Sequence, residues 1–311
     1  MSTRLQAALL LAVLATPAAS TLQAQGGARL EHFTVTVDGH PFAVWARRPV
    51  HPKGVILLQH GSTWSSLPDF DLQVPGDNRS VMVSLARRGY ATYALDLRGY
   101  GATPRDSLGW NTPDRAAEDL ASVLAWVATK NPKLPKPYLV GWSNGARVGQ
   151  LLAQRHPDLI SRLVLYGAPP MPASQTTATP MPTTVSPHRL NTAEAAASDF
   201  ISPAITPKRV IDLYVAAALK ADTIRAMWTA QYQWGALDPT KVTTPTLLIH
   251  GEHDPVAPFD ASQNIFAKLA TADKTWVILP GSDHAALLED THAAFIDAIV
   301  AFIERPRVKQ R

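Results

Sequence analysis

Six short, almost unbroken apolar runs constrain this chain more than any other feature: "GVILLQ" (Gly54 to Gln59), "YATYALD" (Tyr90 to Asp96), "YLVGW" (Tyr138 to Trp142), "RLVLYG" (Arg162 to Gly167), "TLLIHG" (Thr246 to Gly251) and "TWVILP" (Thr275 to Pro280). Runs of this length without polar alternation suit strands buried on both faces of a parallel sheet. Parallel neighbours need crossover connections, and helical patterns lie between the runs. The clearest follows Trp110. Thr112 is placed to cap its N-terminus, Pro113 to occupy its first turn, and Ala117, Leu120, Ala121, Leu124 and Val127 recur at helical spacing. A second starts at Ser143, carries Val148, Leu151 and Leu152 on one face, and stops before Pro157. Upstream, His32 to Gly39 and Pro41 to Pro49 alternate apolar and polar residues about a turn, the pattern of an antiparallel hairpin. The expected fold is α/β: a doubly wound, mostly parallel eight-stranded sheet with an antiparallel start.

One region interrupts the rhythm. From Pro169 to Pro187 the chain is rich in Pro, Thr and Ser, and helix-like pieces follow at 192–200, 207–219 and 221–234. Residues 169–243 therefore read as a helical cap inserted between two parts of the core, 26–168 and 244–311. Ligands bind outside the carboxyl ends of strands in such sheets, so a cap there closes over a site.

The first 25 residues, "MSTRLQAALLLAVLATPAASTLQAQ", place one arginine before an apolar run (Ala7 to Ala15) and then small residues. That is the layout of a signal peptide, and it predicts a periplasmic or secreted protein. The run falls short of the roughly 20 apolar residues that cross a bilayer, and no later segment supplies them, so no membrane span is expected. The chain has no cysteine, so neither disulfides nor thiolate chemistry contribute. With 46% hydrophobic and 17% charged residues, stability rests on a packed core. The net charge of +4 comes from scattered basic residues rather than runs, so a nucleic-acid partner is not expected.

The chemistry centres on "YLVGWSNGARVGQLL" (Tyr138 to Leu152). A serine on a sharp strand-to-helix turn is held in a strained conformation, and Gly141 and Gly145 remove side chains that would collide there. The turn exposes the Ser143 hydroxyl at a helix N-terminus, which favours developing negative charge. A serine hydroxyl needs a general base that is itself oriented by an acid. "EHDPVAP" after one later strand offers Asp254, and "SDHAALLED" after the next offers His284. No Asp, Glu and His cluster has metal spacing and no glycine loop suits a phosphate, so neither metal nor cofactor is expected.

In "LLQHGSTW", "LDLRGYGAT", "GWSNG", "GEHDPVAP" and "GSDHAALLE" together, the chain resembles the α/β-hydrolase superfamily, in its capped serine-hydrolase branch. The resemblance covers nearly all of the chain after the leader. It implies Ser143 as nucleophile, Asp254 as acid, His284 as base, and an oxyanion hole from the backbone N–H groups of Asn144 and Ser62. Glu252 and His253 flank the acid, but the family's acid stands three residues after the loop glycine, which from Gly251 is Asp254. Asp283 is expected to brace the His284 loop, His60 to support the oxyanion loop, and His292 to sit on the terminal helix. Asp96, Arg98 and Gly99 resemble a structural turn of the family. Trp64, Trp110, Trp228, Tyr232 and Trp234 either line an apolar substrate pocket or pack the cap and core.

These features predict a serine hydrolase that cleaves a carboxylic ester or lactone, apolar or ring-containing, through an acyl-enzyme. The same triad also serves amidases, aminopeptidases, carbon–carbon bond hydrolases, perhydrolases and acyl transferases, and a ligand-binding receptor with residual hydrolysis is a further alternative. Dehalogenases and epoxide hydrolases would need Asp at position 143.

Overall fold

The computed structural model describes residues 28–170 and 177–306, so the leader and its predicted export lie outside the described residues. Eight strands form one sheet: β1 (Leu30–Val37), β2 (His40–Arg47), β3 (Gly54–Gln59), β4 (Tyr90–Leu95), β5 (Tyr138–Trp142), β6 (Arg162–Tyr166), β7 (Thr246–Gly251) and β8 (Lys274–Leu279). Their spatial order is β1-β2-β4-β3-β5-β6-β7-β8. β1 and β2 form the antiparallel hairpin, and β2 also runs antiparallel to β4. All remaining pairings are parallel.

Every residue of β3, β4, β6 and β7 is buried, as continuous apolar runs demand. The outermost strand β8 departs from that expectation. Five of its six residues are only partly buried or exposed, because an edge strand is covered less completely than a central one.

Helices flank the sheet on both faces. α1 (Ser66–Phe70), α2 (Val81–Arg87) and α8 (His292–Glu304) join one apolar cluster. α3 (Pro113–Lys130) and α4 (Asn144–Arg155) join the other. The Thr112 side chain caps α3 by accepting from the Arg115 N–H, and Pro113 stands in its first turn, as its sequence requires. Each fully buried Leu or Val in these layers contributes about 1.5–3 kcal/mol. α7 (Phe259–Lys268) precedes β8.

Between β6 and β7 the inserted segment contains α5 (Ala193–Ala197) and α6 (Lys208–Ala221). The helix expected over 221–234 does not form. The Asp222 carboxylate ends α6 by accepting from the N–H groups of Ser65 and Gly101 in the core. Met227 and Trp228 then pair in parallel with Trp110 and Asn111, and a 3-10 turn follows at Gln231–Ala236. Tertiary pairing has overridden local spacing. No helix among the described residues is long and apolar enough to cross a membrane.

Candidate active site

Ser143 stands between β5 and α4 at φ 55°, ψ −120°, outside the regions that ordinary L-residues occupy. Such a conformation costs about 1–3 kcal/mol and persists only where its surroundings impose it. They do so here through two glycines. A Cβ on Gly141 would lie 2.4 Å from the Gly145 carbonyl oxygen, and one on Gly145 would lie 2.2 Å from that of Gln59. α4 therefore approaches the end of β3 more closely than any side chain permits. The Ser143 N–H is anchored to the Tyr166 carbonyl at 2.8 Å.

The loop after β3 passes directly behind the serine: a Cβ on Gly61 would lie 3.2 Å from the Ser143 Cβ. Among the described residues, neither the Ser62 nor the Asn144 N–H donates to a protein acceptor. His60 fixes this loop from below. Its Nε2 accepts from the Leu97 N–H at 3.1 Å, and its Nδ1 donates to the Gly61 carbonyl at 2.9 Å. Burial holds its pKa below the ordinary histidine value, which keeps that neutral arrangement. Thr63 next in line has φ 92°, a strained value for a β-branched residue that no sequence signal announced.

Asp254 follows β7 and His284 follows β8. The His284 Nδ1 lies 2.9 Å from the Asp254 Oδ2, and the other oxygen of that carboxylate accepts from the N–H groups of Val256 and Ala257 at 2.8 and 3.1 Å. A carboxylate only accepts, so Nδ1 carries a proton, which in a neutral imidazole leaves the lone pair on Nε2. Neither Nε2 nor the Ser143 Oγ has a hydrogen-bond partner among the described residues. Such bonds often close only when substrate binds. Gly167, just after β6, packs against the pair; a Cβ there would lie 2.9 Å from the His284 ring and 3.2 Å from Asp254.

Four side chains brace the histidine loop. Trp142 Nε1 donates to the His284 carbonyl at 2.8 Å. The Tyr166 hydroxyl donates to the Asp283 carbonyl and accepts from the Ala286 N–H, both at 2.8 Å. The Asp283 carboxylate accepts from the Ala285 N–H and from Ser202 of the cap, and so points away from Asp254. Buried Glu289 accepts from the N–H groups of Asp283 and Ala285. Burial and the Asp283 carboxylate push the Glu289 pKa up to about 9. His292 opens α8 and binds Ser84 at 2.8 Å. Glu252 accepts from the Gly281 N–H, and both it and His253 are solvent-exposed. Asp96 accepts from Ser66, Ala102 and Trp45, and Arg98 forms a two-point ion pair with Asp119 at 2.7 and 2.8 Å.

One polar cluster has no counterpart in the sequence reading. The Tyr214 hydroxyl on α6 lies 3.0 Å from a carboxylate oxygen of Asp69 on α1 and 3.0 Å from one of Asp199 just after α5. A hydroxyl has one proton to donate, so one of these carboxyl groups must be protonated and donate to the phenol oxygen. Burial pushes Asp69 well above the usual carboxylate range and Asp199 up to about 6, in line with that requirement.

The aromatic residues divide. Trp64 and Trp234 are each 1% exposed and belong to the packed layers. Trp228 donates to the Tyr100 hydroxyl at 2.8 Å, and the Tyr100 ring lies 4.5 Å from that of His60, tilted by 48°, which links the segment between β6 and β7 to the loop after β3. Trp110 donates to the Thr184 carbonyl, and Tyr232 is partly buried in the 3-10 turn.

A family model for serine aminopeptidase, S33, matches residues 50–291, most of the chain. The chain is an α/β-hydrolase of this family. Over 293 residues it is 25% identical to the monoacylglycerol lipase of Mycolicibacterium smegmatis, covering 88% of this chain and 97% of the relative. It is 26% identical over 247 residues to the 2-hydroxy-6-oxo-6-(2'-aminophenyl)hexa-2,4-dienoic acid hydrolase of Metapseudomonas resinovorans, covering 74% and 79%. Among solved structures, the fold matches a meta-cleavage product hydrolase at TM-score 0.64 and 18% identity, covering 87% of this chain and 97% of that one. It also matches a thermophilic esterase from Thermogutta terrifontis at TM-score 0.62 and 18% identity, covering 89% and 98%.

Proposed function

We propose that this hydrolase cleaves a carboxylic ester or lactone through an acyl-enzyme on Ser143. The observation that carries the reading is the arrangement around Ser143. A serine in a strained turn lies against the loop at Gly61, the Ser62 and Asn144 N–H groups have no protein acceptor among the described residues, and the ring of Trp142, just before the serine, lies 5.6 Å from that of His284, whose Nδ1 is 2.9 Å from Asp254. In this mechanism Ser143 Oγ attacks the acyl carbon while His284 Nε2 takes its proton. Asp254 stabilises the imidazolium, and the Ser62 and Asn144 N–H groups receive the oxyanion. His284 then returns the proton to the departing alcohol, and water repeats the sequence to release the acid. The likeness to a monoacylglycerol lipase supports an ester as substrate. Likeness to a dienoic acid hydrolase and to a meta-cleavage product hydrolase favours carbon–carbon cleavage as the second reading.

A panel of esters, lactones, amides and vinylogous 1,5-diketones, with the Ser143→Ala protein as blank, tests the proposal. Serine-dependent turnover confined to esters or lactones is expected; turnover confined to the diketones would replace the first reading by the second. The leader at 1–25 is proposed to direct export, which N-terminal sequencing of the mature protein tests by the loss of those residues.

A further inference from the structure

Arg147 sits one turn beyond Ser143 on α4, and it has no carboxylate partner among the described residues. Its Nε donates to the Pro169 carbonyl at 2.9 Å and its Nη2 to that of Pro170, while its guanidinium lies 5.5 Å from the centre of the Trp234 ring. Other deeply placed arginines are neutralised: Arg47 by Asp71, Arg79 by Asp290, and Arg98 by Asp119. All 25 acidic side chains of the chain fall within the described residues, and none of the ion pairs they make there includes Arg147. Burial without an opposing charge pulls its pKa down to about 10.

A partly buried cation that two peptide oxygens satisfy only in part retains attraction for an anion. Space for one exists. The guanidinium borders a cavity of about 210 Å³ lined also by Gln150, Asn264, Trp234, Ala168 and Leu237. At roughly 30 Å³ per molecule of liquid water, that volume admits a ligand of a few carbon atoms. The planar guanidinium matches the two oxygens of a carboxylate, two amide side chains add donors, and Trp234 with Leu237 supplies an apolar wall. Ala168, in the same wall, directly follows Gly167, which packs against His284.

We propose that Arg147, with Gln150 and Asn264, forms a binding site for a small carboxylate beside the histidine of the active site. The carboxylate is either the acidic end of the substrate or a free acid such as the released product. The binding claim stands on the cavity alone; the assignment to substrate also rests on the proposed ester hydrolysis.

Calorimetric titration with glutarate, on Ser143→Ala protein that cannot turn over, tests binding separately from catalysis. Binding is expected, with affinity lowered at least tenfold by Arg147→Gln. Because Arg147 also anchors the Pro169–Pro170 carbonyls, Asn264→Asp is the second variant: it leaves those bonds in place and repels a carboxylate, so the same loss is expected. A second arm compares kcat/KM for the mono-p-nitrophenyl ester of glutarate with that for p-nitrophenyl butyrate. If Arg147→Gln lowers this ratio at least tenfold, the carboxylate belongs to the substrate; an unchanged ratio with glutarate binding lost assigns the site to a free acid. Absent binding, or binding undiminished in both variants, overturns the site. Glutarate binding without turnover of any ester would sink the hydrolase reading and leave the site standing.

Discussion

Replacing Gly145 by alanine isolates the close approach that builds the serine turn. The new Cβ would lie 2.2 Å from the Gln59 carbonyl oxygen and 2.4 Å from that of His60, both backbone atoms at the end of β3. Ordinary contact begins near 3.4 Å, so α4 and the β3 loop must separate by about 1.2 Å (3.4 − 2.2). Overpacking of this kind costs about 1–3 kcal/mol. More consequentially, it moves Ser143 relative to the Ser62 N–H, and misplacement of about 1 Å can cost on the order of 100-fold in rate. Gly149, one turn further along α4, provides the control. A Cβ there meets the side chains of Leu139 at 3.4 Å and Leu163 at 3.7 Å, both ordinary van der Waals contacts, so alanine should be tolerated and should gain about 0.5–1 kcal/mol of helix propensity. Thermal melts and ester hydrolysis on the two variants read both effects. Wild-type Tm and kcat in Gly145→Ala, or equal damage from Gly149→Ala, would refute the reasoning.

Asp254→Asn should fold, because one side-chain oxygen still accepts from Val256 and Ala257. Its amide would face the His284 Nδ1 and favour the other tautomer, so kcat should fall by about 10⁴-fold with KM little changed; steady-state kinetics checks this. Asn144→Ala retains the backbone N–H and should cost less than about tenfold, measured in the same assay, far less than Ser143→Ala. Glu289 gives a pH signature. Its pKa is raised in the fold, so the stability it contributes is fully present below the unfolded-state carboxylate value and lost as pH rises through about 9. Glu289 should therefore make wild-type Tm decline between about pH 4.5 and 9, and Glu289→Gln, which has no proton to lose there, should show a flatter profile by differential scanning fluorimetry. Equal slopes would contradict the assignment.

The sheet was legible because parallel strands buried on both faces leave a composition signal in the chain itself; all six apolar runs became strands within about a residue of their predicted ends. The serine turn was legible for a related reason. Backbone approach at 2.2–2.4 Å admits only glycine, so the geometry writes Gly141 and Gly145 into the chain. The cap was less legible. Residues 221–234 have helical spacing, but Asp222 is claimed by Ser65 and Gly101 more than a hundred positions earlier, and Met227–Trp228 by Trp110–Asn111. The Asp69, Tyr214 and Asp199 cluster joins α1 to the cap across 145 positions, and nothing local distinguishes Asp69 from a surface acid. Likewise Arg147 reads as an ordinary helix-surface cation until the fold leaves it without a carboxylate partner among the described residues.

The central claim is that Ser143 is the nucleophile, and intact-mass spectrometry after exposure to a fluorophosphonate tests it most directly. The account predicts one adduct per chain, mapped to the peptide that contains Ser143, lost in Ser143→Ala and suppressed when a hydrolysable ester is present in excess. An adduct that persists in Ser143→Ala, or ester turnover that continues in that variant, would contradict it.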